Sequence, residues 1–231
     1  MKVSGDASSQ CALPLGTGLA LIFDLDGVVV DSMPVHTLAW QRYLQSLGIQ
    51  GNHVETRMHG RRNDEIVTDF LGSDVDAQAI HEHGAAKERL FRELMREQLD
   101  RRLVPGVKRF LGRASHAKIA LATNAEPANV DFVLDGAGLR RYFQAIVDGT
   151  QVARAKPAPD VYLLAADKLG VAPANCIVFE DSPVGVEAAR AAGTRVVGIL
   201  SSGKPLAHVI LEVANFLQPE LEAWLAAQCA V

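Results

Sequence analysis

Five short apolar runs, four of them ending in polar residues, constrain the fold of this chain more than any other feature. They are LALIFDLDG (19–27), KIALATN (118–124), FQAIVDG (143–149), CIVFEDS (176–182) and RVVGIL (195–200). Runs this short and this apolar suit strands buried on both faces, as in parallel sheets. Interleaved with them are segments of helical spacing: VKRFLGRAS (107–115), ANVDFVLDGAG (128–138), PDVYLLAADKLG (159–170) and PVGVEAARAAG (183–193). The last two carry a proline near the start and a glycine at the end, the usual helix punctuation. Strands alternating with helices of this length predict βαβ units, and so a Rossmann-like, doubly wound parallel α/β sheet.

One region breaks the alternation. From Pro34 to Arg102 no convincing strand occurs, and helical patterns follow one another. HTLAWQRYLQSLG places apolar residues at Leu38, Trp40, Tyr43, Leu44 and Leu47, and AQAIHEHGAAKERLFRELMREQLDRRL is long, charged and amphipathic. The expected organisation is a flexible leader over 1–17, an α/β core domain formed by 18–33 and 103–231, and a small α-helical cap domain inserted at 34–102. His81 and His83 flank Glu82 like a metal pair, but on so charged a helix they read as a solvated face, and Gly16-Thr17-Gly18 lacks the rest of any glycine-rich fingerprint.

Composition narrows the function. Lys+Arg number 23 against 27 Asp+Glu, a net charge of −4, which argues against nucleic acid or an anionic membrane surface as partner. No apolar stretch reaches the length of a membrane span, and the N-terminus has no signal-like run. Cys11, Cys176 and Cys229 show no paired spacing and read as free thiols of a reducing compartment. The expectation is a cytoplasmic protein, a monomer or weak dimer, acting on a small molecule.

The strand ends carry the chemistry. Asp24 and Asp26 stand one residue apart at the end of the first run, where a strand would point both to one face. Thr123 and Asn124 end the second, Lys156 follows the third, and Glu180 and Asp181 end the fourth. Taken singly, Thr123 or Asp181 reads as a helix cap and Lys156 as a solvated loop lysine. Together, at the carboxyl edge of a parallel sheet where α/β proteins bind ligands, they make a carboxylate-rich site with one lysine and hydroxyl and amide donors. Neighbouring carboxylates need a shared proton or a cation, and hard carboxylate oxygens suit Mg²⁺ together with a phosphate ester. One aspartate could attack phosphorus and the other could move protons.

FDLDG, LATN, AKPAPD and VFEDS, in this order, resemble the four motifs of the haloacid dehalogenase superfamily over about residues 19 to 200. The helical segment after the first motif resembles the cap of the subgroup containing β-phosphoglucomutase and sugar-phosphate phosphatases. The resemblance implies Asp24 as nucleophile and Asp26 as general acid/base. It also implies Thr123, Asn124 and Lys156 around the transferring phosphoryl group. Mg²⁺ would be held by Asp24, the Asp26 carbonyl, Glu180 and Asp181. Asp26 argues against the dehalogenase and phosphonatase branches, which lack a second aspartate.

The same resemblance frames the choice between phosphatase and mutase. DSMPVHTLAW resembles the mutase version of its segment, including His36 and Trp40. The cap loop RMHGRRNDEI supplies Gly60, Arg61, Arg62 and Asn63 as expected substrate-binding residues. However, His59 falls where mutases have lysine and Asn63 where they have arginine. Glu126 and Pro127 replace residues that help bind the distal phosphate in mutases. The expectation is therefore a Mg²⁺-dependent phosphatase of a small phosphorylated metabolite, a sugar phosphate by preference. β-Phosphoglucomutase is the alternative.

Overall fold

A computed structural model describes residues 12–13, 15–16, 18–51, 53–58, 61–201 and 203–228. Most of the expected 1–17 leader, together with Cys11, Cys229, His59 and Gly60, lies outside the described residues.

Among the described residues, six strands form one sheet: β1 (Ala20–Phe23), β2 (Lys118–Ala122), β3 (Ala145–Val147), β4 (Cys176–Glu180), β5 (Arg195–Ile199) and β6 (Leu211–Val213). Their order is β3-β2-β1-β4-β5-β6, and every neighbouring pair is parallel. β1 is central, pairing Phe23 with Leu121 on one side and with Phe179 on the other. The chain winds outward from β1 in both directions, so the crevice at the carboxyl ends of β1, β2 and β4 is the topological switch point.

The strands are buried on both faces, as their near-continuous apolar character requires. Leu21, Phe23, Ile119, Leu121, Ile177 and Phe179 face one apolar cluster, which includes Phe110 and Phe216. Ala20, Ile22, Ala120, Ala122 and Val178 face the other. The second cluster is rich in alanine, and the small side chains of Ala165, Ala166, Ala188 and Ala189 let α8 (Asp160–Leu169) and α9 (Pro183–Ala191) lie close to the sheet.

Among the described residues between β1 and β2 come six helices: α1 (Met33–Ser46), α2 (Val54–Arg57), α3 (Asn63–Leu71), α4 (Ala77–Met95), α5 (Leu99–Arg102) and α6 (Val107–Arg113). Trp40, Leu44, Val54, Met58, Ile66 and Val67 form an apolar cluster of their own among α1, α2 and α3. α4 begins where the Asp76 carboxylate accepts from the Ala79 amide at 2.8 Å. Its other end, through Phe91 and Met95, joins the core beside the sheet, as do Val35 and Ala39 of α1. Among the described residues, the remaining α-helices are α7 (Pro127–Gly136) and α10 (Pro219–Ala227).

The structure departs from the sequence reading in three places. The long amphipathic run from Ala77 is not one helix, because it breaks after Met95 and resumes at Leu99. β6 and α10 were not anticipated: LEV is too short to show a periodicity, and α10 offers a partly apolar surface without a sharp polar face. His83 is not merely solvated, since its Nδ1 lies 2.6 Å from the Tyr43 hydroxyl. Among the described residues, no helix is long and apolar enough to cross a membrane.

Candidate active site

β1 ends at Phe23, so Asp24 and Asp26 do not alternate along a regular strand as expected. The chain turns instead: Val29 and Val30 amides donate to the Leu25 carbonyl at 2.9 and 3.1 Å, and the Gly27 amide to the Val30 carbonyl at 2.8 Å. The turn requires glycine at 27, where φ is +80° and a Cβ would lie 1.9 Å from Asp181 Oδ2. Both aspartates nonetheless line one cavity, with Thr123, Asn124, Lys156 and Asp181.

Lys156 joins the motifs electrostatically. Its Nζ donates to Asp24 Oδ1 and Glu180 Oε1, each at 2.7 Å, and to the Ala122 carbonyl at 3.2 Å. Glu180 is fully buried. Its Oε1 also accepts from the Tyr162 hydroxyl at 2.5 Å, and its Oε2 accepts from the Asp181 and Ser182 amides at 2.9 and 3.1 Å. Gly185 is needed here too, since a Cβ would sit 1.8 Å from Glu180 Oε1. Ser182, not Asp181, caps α9, with its hydroxyl accepting from the Gly185 amide at 3.1 Å. Asp181 is thereby left to the cavity.

One ligand oxygen from each of Asp24, Glu180 and Asp181 lies within 4.8 Å of the others. Burial pushes the Asp24 carboxyl up to about 7, against the pull of Lys156 and with the help of Glu180 and Asp26. Burial, then Glu180 and Asp24, push Asp181 well above the carboxylate range. For Glu180 the burial penalty is outweighed by Lys156 and Tyr162, and its carboxyl is held low. One ammonium thus faces three carboxylates. This excess of hard anionic oxygens is the donor set that suits a divalent cation.

Asp26 belongs to a different network. Its Oδ1 accepts from the Ser32 hydroxyl at 2.5 Å and lies 3.5 Å from His36 Nε2. Burial raises the Asp26 carboxyl, but the His36 and Ser32 hydrogen bonds outweigh it and hold the group low. His36 is buried, stacked on Phe91 with ring centroids 3.7 Å apart, and its Nδ1 lies 2.9 Å from Lys87 Nζ. Because the lysine donates to Nδ1, the imidazole proton belongs on Nε2, facing Asp26.

The expected residues Arg61, Arg62 and Asn63 all line the cavity, but each is already engaged by protein groups. Arg61 lines it but pairs with Asp69 at 3.1 Å and Glu65 at 3.4 Å. Arg62 reaches the core and donates to the Gly149 and Val152 carbonyls at 2.9 and 3.4 Å. Asn63 donates to Glu88 at 2.7 Å. The Arg62 Nε and Asn124 Nδ2 atoms are buried with no hydrogen-bond partner. The sequence reading missed Lys87, Glu88, Arg92 and Asn129, which also belong to this region. The helical spacing of Lys87, Glu88 and Arg92 reads as an exposed charged face, and only the contacts of Glu88 and Arg92 with Asn129 and Glu126 at the start of α7 reveal otherwise; Asn129 gives no local signal.

A family model described as haloacid dehalogenase-like hydrolase matches residues 19–193. The fructose-1-phosphate phosphatase YqaB of Escherichia coli is 35% identical over 184 residues, covering 78% of this chain and 95% of that protein. β-Phosphoglucomutase of Bacillus subtilis is 30% identical over 215 residues, covering 89% and 95% respectively. Among solved structures, a variant of CbbY from Rhodobacter sphaeroides in complex with xylulose-(1,5)bisphosphate superposes with a TM-score of 0.75 at 27% identity, covering 86% of this chain and 95% of that one. With the sheet order, the four motifs at its carboxyl edge and these similarities in agreement, the chain belongs to the haloacid dehalogenase-like hydrolases, and it is an enzyme.

Proposed function

We propose that this enzyme is a Mg²⁺-dependent phosphatase of a small phosphorylated metabolite, preferably a sugar phosphate, working through phosphorylated Asp24. The observation that carries the reading is the position of Lys156 Nζ, 2.7 Å from both Asp24 and Glu180. It ties the nucleophile to the acidic cluster and leaves an anion excess for a cation to balance.

Asp24, Glu180 and Asp181 would hold Mg²⁺ with the Asp26 carbonyl, and the bound ion supplies positive charge against the phosphoryl oxygens and the crowded carboxylates. A carboxylate oxygen of Asp24 attacks phosphorus, and the bond to the ester oxygen breaks with its electron pair leaving on that oxygen. Asp26 gives that oxygen a proton. Held low by His36 and Ser32, Asp26 starts ionised, and the negative charge of an arriving phosphate favours its protonation. In the second half, Asp26 takes a proton from water whose oxygen attacks phosphorus. The bond to Asp24 then breaks, releasing inorganic phosphate and restoring the carboxylate. Lys156 neutralises charge on the phosphoryl group throughout, and Thr123 and Asn124 position it.

We also propose that residues 34–102 work as a cap over this crevice, with α1 to α5 excluding bulk water and contacting the leaving group. The 30% identity to the Bacillus subtilis mutase keeps transfer to a second sugar hydroxyl as the alternative. Phosphorus-31 NMR of the protein with Mg²⁺, β-glucose 1-phosphate and a trace of glucose 1,6-bisphosphate separates the two. Inorganic phosphate is the expected product; accumulation of glucose 6-phosphate would establish the mutase. Asp24→Asn is expected to abolish either activity.

A further inference from the structure

The cavity wall formed by α4 and α7 is built around a buried carboxylate to which no role has been given. Glu88 is only 3% exposed. Its Oε1 accepts from Lys87 Nζ and Asn63 Nδ2, and its Oε2 from Asn129 Nδ2, each at 2.7 Å. Asn129 Oδ1 in turn accepts from Arg92 Nη1 at 2.6 Å, and that same nitrogen donates to Glu126 Oε1 at 2.6 Å. All of these except Arg92 line the cavity shared with Asp24.

We propose that Glu88 is a specificity-determining residue that selects monoesters with a neutral, polyhydroxylated leaving group and rejects substrates carrying a second phosphate. The proposal rests on the phosphatase reading only in taking a phosphate ester as the ligand.

Charge accounts for the rejection. Each cation of the wall is already matched: Lys87 by Glu88 and Arg92 by Glu126. Arg61 is paired with Asp69 and Glu65, and the Arg62 guanidinium, which also lines the cavity, is held by the Gly149 and Val152 carbonyls, leaving it the one cation here without a carboxylate partner among the described residues. A second phosphate brought to this wall meets two carboxylates and must first break existing ion pairs, and such like-charge contact is an effective means of discrimination. Hydroxyl groups meet the opposite situation. An ionised carboxylate has about four acceptor sites, and three donors reach Glu88, so a substrate hydroxyl can still donate to it. Lys87 outweighs the burial penalty and keeps the Glu88 carboxyl down at about 2, so the acceptor is ionised at any working pH.

The test compares fructose 1-phosphate with fructose 1,6-bisphosphate, which differ only by the second phosphate. Calorimetric affinities in Mg²⁺ are measured for Asp24→Asn, which removes turnover, and for Asp24→Asn combined with Glu88→Gln. The single variant is expected to bind the monophosphate at least about ten-fold more tightly, and Glu88→Gln to move the ratio about ten-fold toward the bisphosphate. Equal or tighter binding of the bisphosphate by Asp24→Asn overturns the proposal and makes Arg62 the distal clamp. An unchanged ratio in the double variant also overturns it. Should Glu88→Gln fail to fold, Glu88→Asp, which keeps the charge, must keep the preference. Binding of neither sugar refutes the leaving-group class, whereas the phosphatase reading falls only if the wild type releases no phosphate from any monoester.

Discussion

Lys87 Nζ lies 2.9 Å from His36 Nδ1, and through that contact a lysine of α4 fixes which face of the imidazole meets Asp26. The same ammonium donates to Glu88 at 2.7 Å. The Asp26–His36 pair at the sheet edge and a carboxylate in the helical wall therefore share one buried cation.

Replacing Lys87 by Met removes that cation while keeping much of its volume. Glu88 is then buried without its ion-pair partner, and breaking such a pair costs about 3 kcal/mol or more. Urea unfolding of the variant is expected to show a loss of that order. A loss below about 1 kcal/mol would mean that Asn63 and Asn129 suffice to hold the charge.

Glu88 also predicts an acid dependence of stability. Its folded pKa, about 2, lies below the ordinary 4.5, because the Lys87 ammonium, with the Asn129 hydrogen bond, outweighs the burial penalty. The folded form therefore binds its proton less readily than the unfolded chain. The stabilisation is complete above about 4.5, declines as the pH falls through the window between the two values, and is gone below about 2. The groups facing Glu88 are Lys87, His36, Asn63 and Asn129, with Arg92 behind the last. The difference in unfolding free energy between wild type and Glu88→Gln should shrink by about 3 kcal/mol over that window. A constant difference would place Glu88 outside the acid response.

Asp181 sits where burial and neighbouring carboxylates oppose its charge. Asp181→Asn should stabilise the metal-free protein by about 1 kcal/mol while removing activity, the usual conflict between stability and a charged site. Added Mg²⁺ should raise the melting temperature of the wild type and not of the variant. Chelation with EDTA is expected to abolish phosphate release. Unchanged activity after chelation would refute the metal assignment.

Gly185→Ala tests the close approach of α9 to Glu180. A Cβ 1.8 Å from Glu180 Oε1 forces either the helix or the carboxylate to move. The expected cost is about 2 kcal/mol or more, with phosphate release reduced about 100-fold or more, because Glu180 also holds Lys156. Near-normal activity would show that the carboxylate can shift without consequence.

Much of this site is legible along the chain, and the reason is local. Short apolar runs ending in FDLDG, LATN and VFEDS announce buried parallel strands, and a parallel sheet brings its carboxyl ends to one edge whatever the loops between them do. Lys156 follows from the same logic, because β3 delivers its loop to that edge. Interactions between distant segments were not legible. Glu88 and Asn129 are 41 positions apart and Arg62 and Gly149 are 87 apart. Nothing in either local pattern tells a buried Lys87-Glu88 pair from the solvated charges around it. The sequence by itself determined five of the six strands, their parallel class, and the order of polar residues at their carboxyl ends. Only the tertiary structure decided which charges of residues 34–102 are buried and paired at the cavity, because an ion pair is buried or exposed according to what the rest of the chain places over it.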